Sequence, residues 1–269
     1  MDFIKYHIAG KDYIYCPDKN CFDKLTKKDI SSVCKRHTGI GADGIFTFYQ
    51  NSLKTGIIKG FLENGENMHD LSSVSICASF ELFLTAGITD LTFICENHTN
   101  FTTKTDFAAG TNEFFCTLKA HPSEGIFSQI NRKTEIGTRI LTITPVSLHG
   151  IYTVHFTDCK EKLNIRYLGE HISGNSLFSK KASLILSEKI RTNAFDISFY
   201  ENKTGCPRPT LSAFGATALA ACRSGICNYG ETISVSADGN TVYVTCNSPE
   251  AVTIKCTCEK VFKGKYDLL

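Results

Sequence analysis

The sequence predicts an α+β fold organised as two similar halves, on three observations. Short runs that alternate branched or aromatic residues with polar ones recur along the whole chain, the period-2 signature of half-buried strands. Only two segments stand out as long helices, Leu71 to Thr85 and Leu211 to Cys222. Each follows a strand-like run, then Glu-Asn, then a glycine-bearing loop: Phe61-Leu-Glu-Asn-Gly65 before the first, Phe199-Tyr-Glu-Asn-Lys-Thr-Gly205 before the second. Glu63 and Glu201 are 138 positions apart, about half of the 269 residues. One match between short segments reads equally as a duplication or as coincidence.

The strand pattern covers Tyr13 to Tyr15, Gly44 to Tyr49, Gly56 to Phe61, Asp90 to Cys95 and Phe114 to Leu118 in the first half. In the second it covers Thr138 to Ile143, Tyr152 to Phe156, Phe195 to Tyr200, Ile233 to Val235, Thr241 to Thr245 and Val252 to Cys256. Asp238-Gly239-Asn240 is a hairpin signal leading into Thr241. Leu71 to Thr85 opens on serines suited to a capped first turn, repeats apolar residues at spacings of three and four, and stops near Gly87. Leu211 to Cys222 is rich in alanine and stops near Gly225; small residues permit close approach, so this helix is expected to be buried on most sides.

With 29 Lys+Arg against 27 Asp+Glu, the chain lacks the single-sign field that nucleic acid or an anionic membrane would require. No stretch approaches the length of a membrane span, and the N-terminus mixes charges into what would be a signal core, so a cytoplasmic, unprocessed chain is expected. Thirteen cysteines, an odd number without paired CxxC spacing, fit reduced buried thiols and give no metal site. The histidines show no ligand spacing.

Gly39-Ile-Gly41-Ala-Asp-Gly44 has the letters of a dinucleotide fingerprint in the wrong context. A helical pattern (Thr26 to Arg36) precedes it and a strand follows, so the glycines are expected to shape a tight loop. The densest group of proton-handling residues is Glu63, Asn64, Glu66, His69 and Asp70, just before the first helix. It reads either as an acid–base site at a helix N-terminus or as an exposed loop with helix-capping acids. Cys77 and Cys222, inside and at the end of the helices, read as core packing, because a reactive thiol wants a helix N-terminus or a cationic neighbour.

Together these segments resemble the diaminopimelate epimerase family over nearly the whole chain. Phe3 to Tyr13 is similar to that family's F-x-K-x-H-G-x-G-N-D-F opening, and Arg36 to Ile45 (RHTGIGADGI) to its R-x-x-G-I-G-A-D-G-L loop. Asn175 to Phe178 resembles H-P-L-F, and Val261 to Gly264 the closing V-F-x-G. The resemblance implies two pseudo-symmetric halves, each a β-rich barrel-like sheet around a central helix, with the active site in the cleft between them. The halves would be 1–116, completed by 258–269, and 117–257. It also implies one catalytic cysteine at the N-terminus of each central helix, the two thiols acting as a base–acid pair without pyridoxal phosphate or any other cofactor, on a small amino-acid-like substrate.

The resemblance breaks where that chemistry belongs. The family's C-G-N-G-x-R-C falls on Leu71 to Cys77, so its thiol position is Leu71, and Cys77 takes the place of the second, non-catalytic cysteine. In the other half the thiol falls on Ala213, or on Phe214 if a short insertion is placed differently. The substrate-holding asparagines fall on Lys11 and Leu62 and near Gly150 and Ile185; Glu201 is kept, but the arginine after it is Asn202.

Three functional readings result. The first is a paralogue that keeps the fold, has lost two-thiol epimerisation and binds a ligand or partner; Lys11, Asn64, Ser72, Ser73, Glu201 and Asn202 are its ligand-binding candidates. The second is an isomerase with replaced chemistry, in which Glu63, Glu66, His69 or Asp70 serves as base and Ser72 and Ser73 donate to an anion. The third is an amino-acid epimerase using Cys77 with Cys206 or Cys222; about 9 Å of helix between Leu71 and Cys77 argues against it. Homodimerisation, or pairing with an active epimerase, stays open.

Overall fold

The computed structural model describes residues 1–94, 100–105, 113–119, 130–174, 182–202, 205 and 207–268. They divide into two compact units, Met1–Thr117 with Cys256–Leu269, and Leu118–Lys255.

In the first unit, period-2 alternation produces strands β1 (Asp2–Ile8), β2 (Lys11–Tyr15), β3 (Gly44–Gln50), β4 (Thr55–Leu62), β5 (Asp90–Ile94), β6 (Asn100–Thr105) and β7 (Glu113–Lys119). Helices α1 (Lys19–Phe22) and α2 (Lys27–Cys34) connect β2 to β3, and α3 (Ser72–Ala86) connects β4 to β5. Those two strand pairs are parallel and the others antiparallel, because a parallel neighbour needs a crossover long enough to hold a helix. The chain's last strand, β15 (Ala251–Lys265), pairs with β1 from Asp2↔Lys265 to Ile8↔Cys258 and also neighbours β7, which closes this sheet on itself.

Helix α3 packs against β1, β5 and β6, and its residues from Ser72 to Leu82 are all buried. It ends at Gly87, whose left-handed φ of 66° turns its N–H back to the Phe83 carbonyl. Helices α1 and α2 cover the sheet's other face through a core that includes Phe3, Ile14, Phe22, Ile30, Val33 and Ile45. Strand β3 is therefore buried on both faces, Ile45 towards α2 and Phe46 towards Tyr6.

The second unit repeats this order. Its strands are β8 (Arg132–Ile136), β9 (Arg139–Ser147), β10 (Ile151–Thr157), β11 (Ala182–Arg191), β12 (Ala194–Tyr200), β13 (Thr232–Ala237), β14 (Asn240–Ser248) and the first residues of β15. Helix α4 (Ile165–Gly174) connects β10 to β11 and α5 (Leu211–Arg223) connects β12 to β13, again the two parallel pairs. Helix α5 is buried at every residue from Leu211 to Cys222 and packs against β9, β10, β11, β13 and β14. Its small side chains permit this: a Cβ on Gly215 would stand 2.8 Å from Leu148 Cδ2.

The two expected helices and all eleven expected strand segments lie within or against observed elements. Strands β1, β6, β8 and β11 and helices α1 and α4 were not expected. Strand β11 begins with six buried residues, Ala182 to Ser187, covered by α4 on one side and facing α5 on the other, so its run does not alternate between apolar and polar. Helix α4 had a signal in Asn164, whose Oδ1 accepts the Tyr167 N–H, followed by Leu168 and Ile172 at helical spacing. The ten cysteines whose side chains are described are free, and eight of them are buried. No helix among the described residues is long and apolar enough to cross a membrane.

Candidate functional site

The motif around the glycines is a structural lock. After α2 ends, the N–H groups of Ile40 and Gly41 donate to the Val33 carbonyl and that of Ala42 to the Cys34 carbonyl, satisfying the helix's last acceptors. A Cβ at Gly39 would lie 2.2 Å from the Ser32 carbonyl oxygen, so only glycine fits. Arg36 then forks onto Asp12, with Nη1 and Nη2 at 3.0 and 2.6 Å, and reaches Asp43 at 3.2 Å. Asp43 accepts the Asp12 N–H, and Lys5 closes the group with 2.8 Å to Asp12 and 2.6 Å to the Gly41 carbonyl.

The charges in this group are strongly tuned. Burial would raise Asp12, but hydrogen bonds from Arg36, Asp43 and Lys5 outweigh it and hold its carboxyl well below the usual range. Asp43 is raised, by burial and by the neighbouring Asp12 carboxyl, while Lys11 pulls the other way. Beside it, burial and the Asp43 charge push the Tyr13 hydroxyl well up.

At the start of α3, the expected serine cap is corrected. Leu71 occupies the N-cap position without a side-chain bond, and the capping group is Asp70, whose Oδ1 accepts the Ser72 N–H at 3.0 Å. Ser72 and Ser73 lie buried within the first turn, Ser73 bonding to Tyr13. Leu71 is buried too, with Cδ2 3.2 Å from where a Gly60 Cβ would stand. Asp70 is half-buried, and its Oδ2 is sealed from solvent with no hydrogen-bond partner among the described residues. Glu63, Asn64, Glu66 and His69 are exposed, and Asn64 Oδ1 accepts the Glu66 N–H in a local turn. Lys11 is half-buried at the start of β2.

In the second unit, Thr210 opens α5 without a side-chain cap and meets the Tyr152 hydroxyl at 3.4 Å. Ser212, Ala213 and Phe214 are fully buried in the first turn, and Ile185 is fully buried in β11. Glu201 is exposed and Asn202 half-buried; Glu201 and Gly205 exchange two backbone hydrogen bonds. A Cβ on Gly150 would stand 2.9 Å from the Tyr152 hydroxyl.

The thiols lie elsewhere. Cys77 is fully buried one and a half turns into α3, against Cys258, and Cys222 sits at the far end of α5, donating to the Asn228 carbonyl at 3.6 Å. Cys206 and Asn175 to Phe178 lie outside the described residues. Among the described residues one group could hold a metal ion: Cys159, Glu161 and Glu188 bring ligand atoms within 4.8 Å before α4, where Glu188 already accepts the Lys160 N–H. Sequence reasoning missed the Lys5–Asp12–Arg36–Asp43 group. Its members lie on β1, β2 and a loop, and only the strand pairings bring them together.

No protein-family model matches the chain. It is 22% identical to diaminopimelate epimerase of Bacillus cytotoxicus, over 99% of this chain and 97% of that protein. It is 21% identical to diaminopimelate epimerase of Bacteroides thetaiotaomicron, over 99% and 98%. Among solved structures, a probable proline racemase from Agrobacterium radiobacter aligns with a TM-score of 0.72 at 11% identity, covering 99% of this chain and 93% of that one. A phenazine biosynthesis protein of the PhzF family from Enterococcus faecalis aligns with a TM-score of 0.64 at 10% identity, covering both chains fully (100%). The glycine-loop motif and the fold point the same way: the chain is similar over its full length to diaminopimelate epimerases and shares the fold of the proline racemase and PhzF-family structures.

Proposed function

We propose that this chain is an epimerase-fold protein that has given up two-thiol epimerisation and binds an amino-acid-like ligand, alone or as partner to an active epimerase. One observation carries this reading: where the resemblance puts the family's thiols, the side chains are apolar and buried, Leu71 at the N-cap of α3 and Ala213 in the first turn of α5. Neither side chain can hold or move a proton, and removing an acid–base pair costs orders of magnitude in rate. Neither Cys77 nor Cys222 stands in for them: Cys77 faces Cys258 beyond the first turn of α3, and Cys222, although its bond with Cys246 lowers its thiol pKa, lies in the last turn of α5 rather than the first.

What remains at the first helix suits an anion-bearing ligand. Lys11 supplies a half-buried cation beside Asp43, where the family has an asparagine. The test is NMR of the purified protein in deuterated water with diaminopimelate, then other free amino acids. The expected result is an unchanged α-proton signal together with a raised Tm at high ligand concentration. Deuterium entering the α-carbon at an enzymatic rate would refute the reading.

A second reading, an isomerase with replaced chemistry, is favoured by Asp70 alone. Of the candidate bases it is the one withdrawn from solvent, with Oδ1 spent on the helix and Oδ2 free of any partner among the described residues. Exchange abolished by Asp70→Asn would select this reading over the first.

A further inference from the structure

Helix α3 and the second part of β15 meet along two matched rungs. Cys77 and Glu81 are one turn apart on α3, and Cys258 and Lys260 are two positions apart on β15, so each pair shares a face. Four helical residues rise about 6 Å and two strand residues about 6.6 Å, which keeps the rungs in step. On one rung the Cys258 thiol lies 3.7 Å from Cys77 Sγ. On the other, Lys260 Nζ lies 3.0 Å from Glu81 Oε2, which also accepts the Tyr6 hydroxyl. Tyr6 faces Lys260 across the β1–β15 ladder, so the second rung is tied to both strands. This polar rung fixes the register of helix on strand and holds the two sulfurs against each other. Cys16, Cys21 and Cys34 belong to the core under α1 and α2.

We propose that Cys77 and Cys258 are a latent disulfide site, closed by exchange with a low-molecular-weight disulfide, which staples the central helix of the first unit to the strand that completes its sheet. One of the two sulfurs, as thiolate, attacks a sulfur of the reagent; that S–S bond breaks, and the departing thiolate takes up a proton. The second protein sulfur, after losing its own proton, displaces the reagent's other half and forms the Cys77–Cys258 bond. Two protein thiols are oxidised and one reagent disulfide is reduced to two thiols. Both cysteines are fully buried, and burial together with the Cys77 contact pushes the Cys258 thiol well up. The first attack therefore waits for the end of β15 to open, and closure takes hours rather than seconds. The bond joins residues 181 positions apart, so it strongly restricts the unfolded chain.

The experiment incubates the full-length protein with oxidised glutathione at pH 8, alkylates remaining thiols under denaturing conditions, and maps non-reduced tryptic peptides by mass spectrometry. The expected result is a peptide pair joined through Cys77 and Cys258, with a Tm higher by roughly 5–10 °C that falls back on reduction. Cys77→Ser and Cys258→Ser should each abolish the linked pair and the Tm gain. The wild-type peptide map decides the question if either variant fails to fold. Alkylation of both cysteines in the oxidised protein, or their linkage to other partners only, would overturn the proposal.

Discussion

Asp70 and Ser72 meet at the start of helix α3, the carboxylate Oδ1 accepting the Ser72 N–H at 3.0 Å. The chain thus supplies its own anion at the end of the helix where the positive pole lies. The adjoining N-cap residue, Leu71, contributes only packing.

Replacing this cap should be felt as stability. Asp70→Ala is expected to lower the unfolding free energy by about 1 kcal/mol, whereas Asp70→Asn, whose side-chain oxygen can make the same bond, should lose only a few tenths. Urea denaturation followed by circular dichroism measures both. Equal losses would mean that the charge, not the hydrogen bond, matters.

Restoring thiols should not restore the reaction. In the double variant Leu71→Cys, Ala213→Cys, no α-proton exchange with diaminopimelate is expected, because the asparagine positions that the resemblance places on Lys11 and Leu62 and near Gly150 and Ile185 still lack their amides. Leu71→Cys should also cost roughly 1–3 kcal/mol for the cavity left beside Gly60 and Met68. Exchange by the double variant would show that the thiols were the whole deficit.

Arg36→Ala should destabilise the protein in a pH-dependent way. It removes the fork that balances Asp12 and Asp43, leaving Lys5 against Asp12 and Lys11 as the cation near Asp43. Arg36 is itself nearly half exposed, so a loss of about 1–2 kcal/mol at pH 7 is expected. Asp12's folded pKa is depressed, so its stabilisation is present above its unfolded pKa and fades as pH falls through the folded one. The difference between wild type and variant should therefore shrink as pH drops below the ordinary carboxylate range, read from urea midpoints at pH 7 and pH 3.5.

The buried tyrosines predict the alkaline limit. Tyr6 is raised by burial and its bond to Glu81, Tyr13 by burial and the Asp43 charge, and Tyr15 by burial and Glu81. Their neutral forms belong to the folded state, so their contribution is intact below the unfolded value near 10 and is lost as pH rises above it. Absorbance near 295 nm should show these three of the ten tyrosines ionising only as the protein unfolds above about pH 10. Tyr6→Phe should make the stability decline less steep.

The loop Arg36 to Gly44 was the most legible segment. Its glycines are dictated by local geometry, above all the approach of Gly39 to the α2 carbonyls, so letters and structure correspond closely. The central helices were legible for a similar reason, since an alanine-rich or apolar run ending at a glycine specifies a buried helix locally. Strand β11 was not, because burial on both faces erases the alternation by which a strand is recognised. The capping of α3 was misjudged because Ser72 and Asp70 are both ordinary capping residues. Only the backbone conformation at Leu71 decides which of them reaches a free N–H.

By itself, the sequence determined the α+β class, the two central helices, the glycine loop and the absence of thiols at the expected helix starts. Each depends on residues close in the chain, where spacing and side-chain chemistry suffice. Only the tertiary structure decided that Val252 to Cys256 and Val261 to Gly264 belong to one strand, and that this strand brings Cys258 to Cys77 and Lys260 to Glu81. Those partners stand about 180 residues apart, and no local pattern encodes a contact that depends on how a sheet closes around a helix.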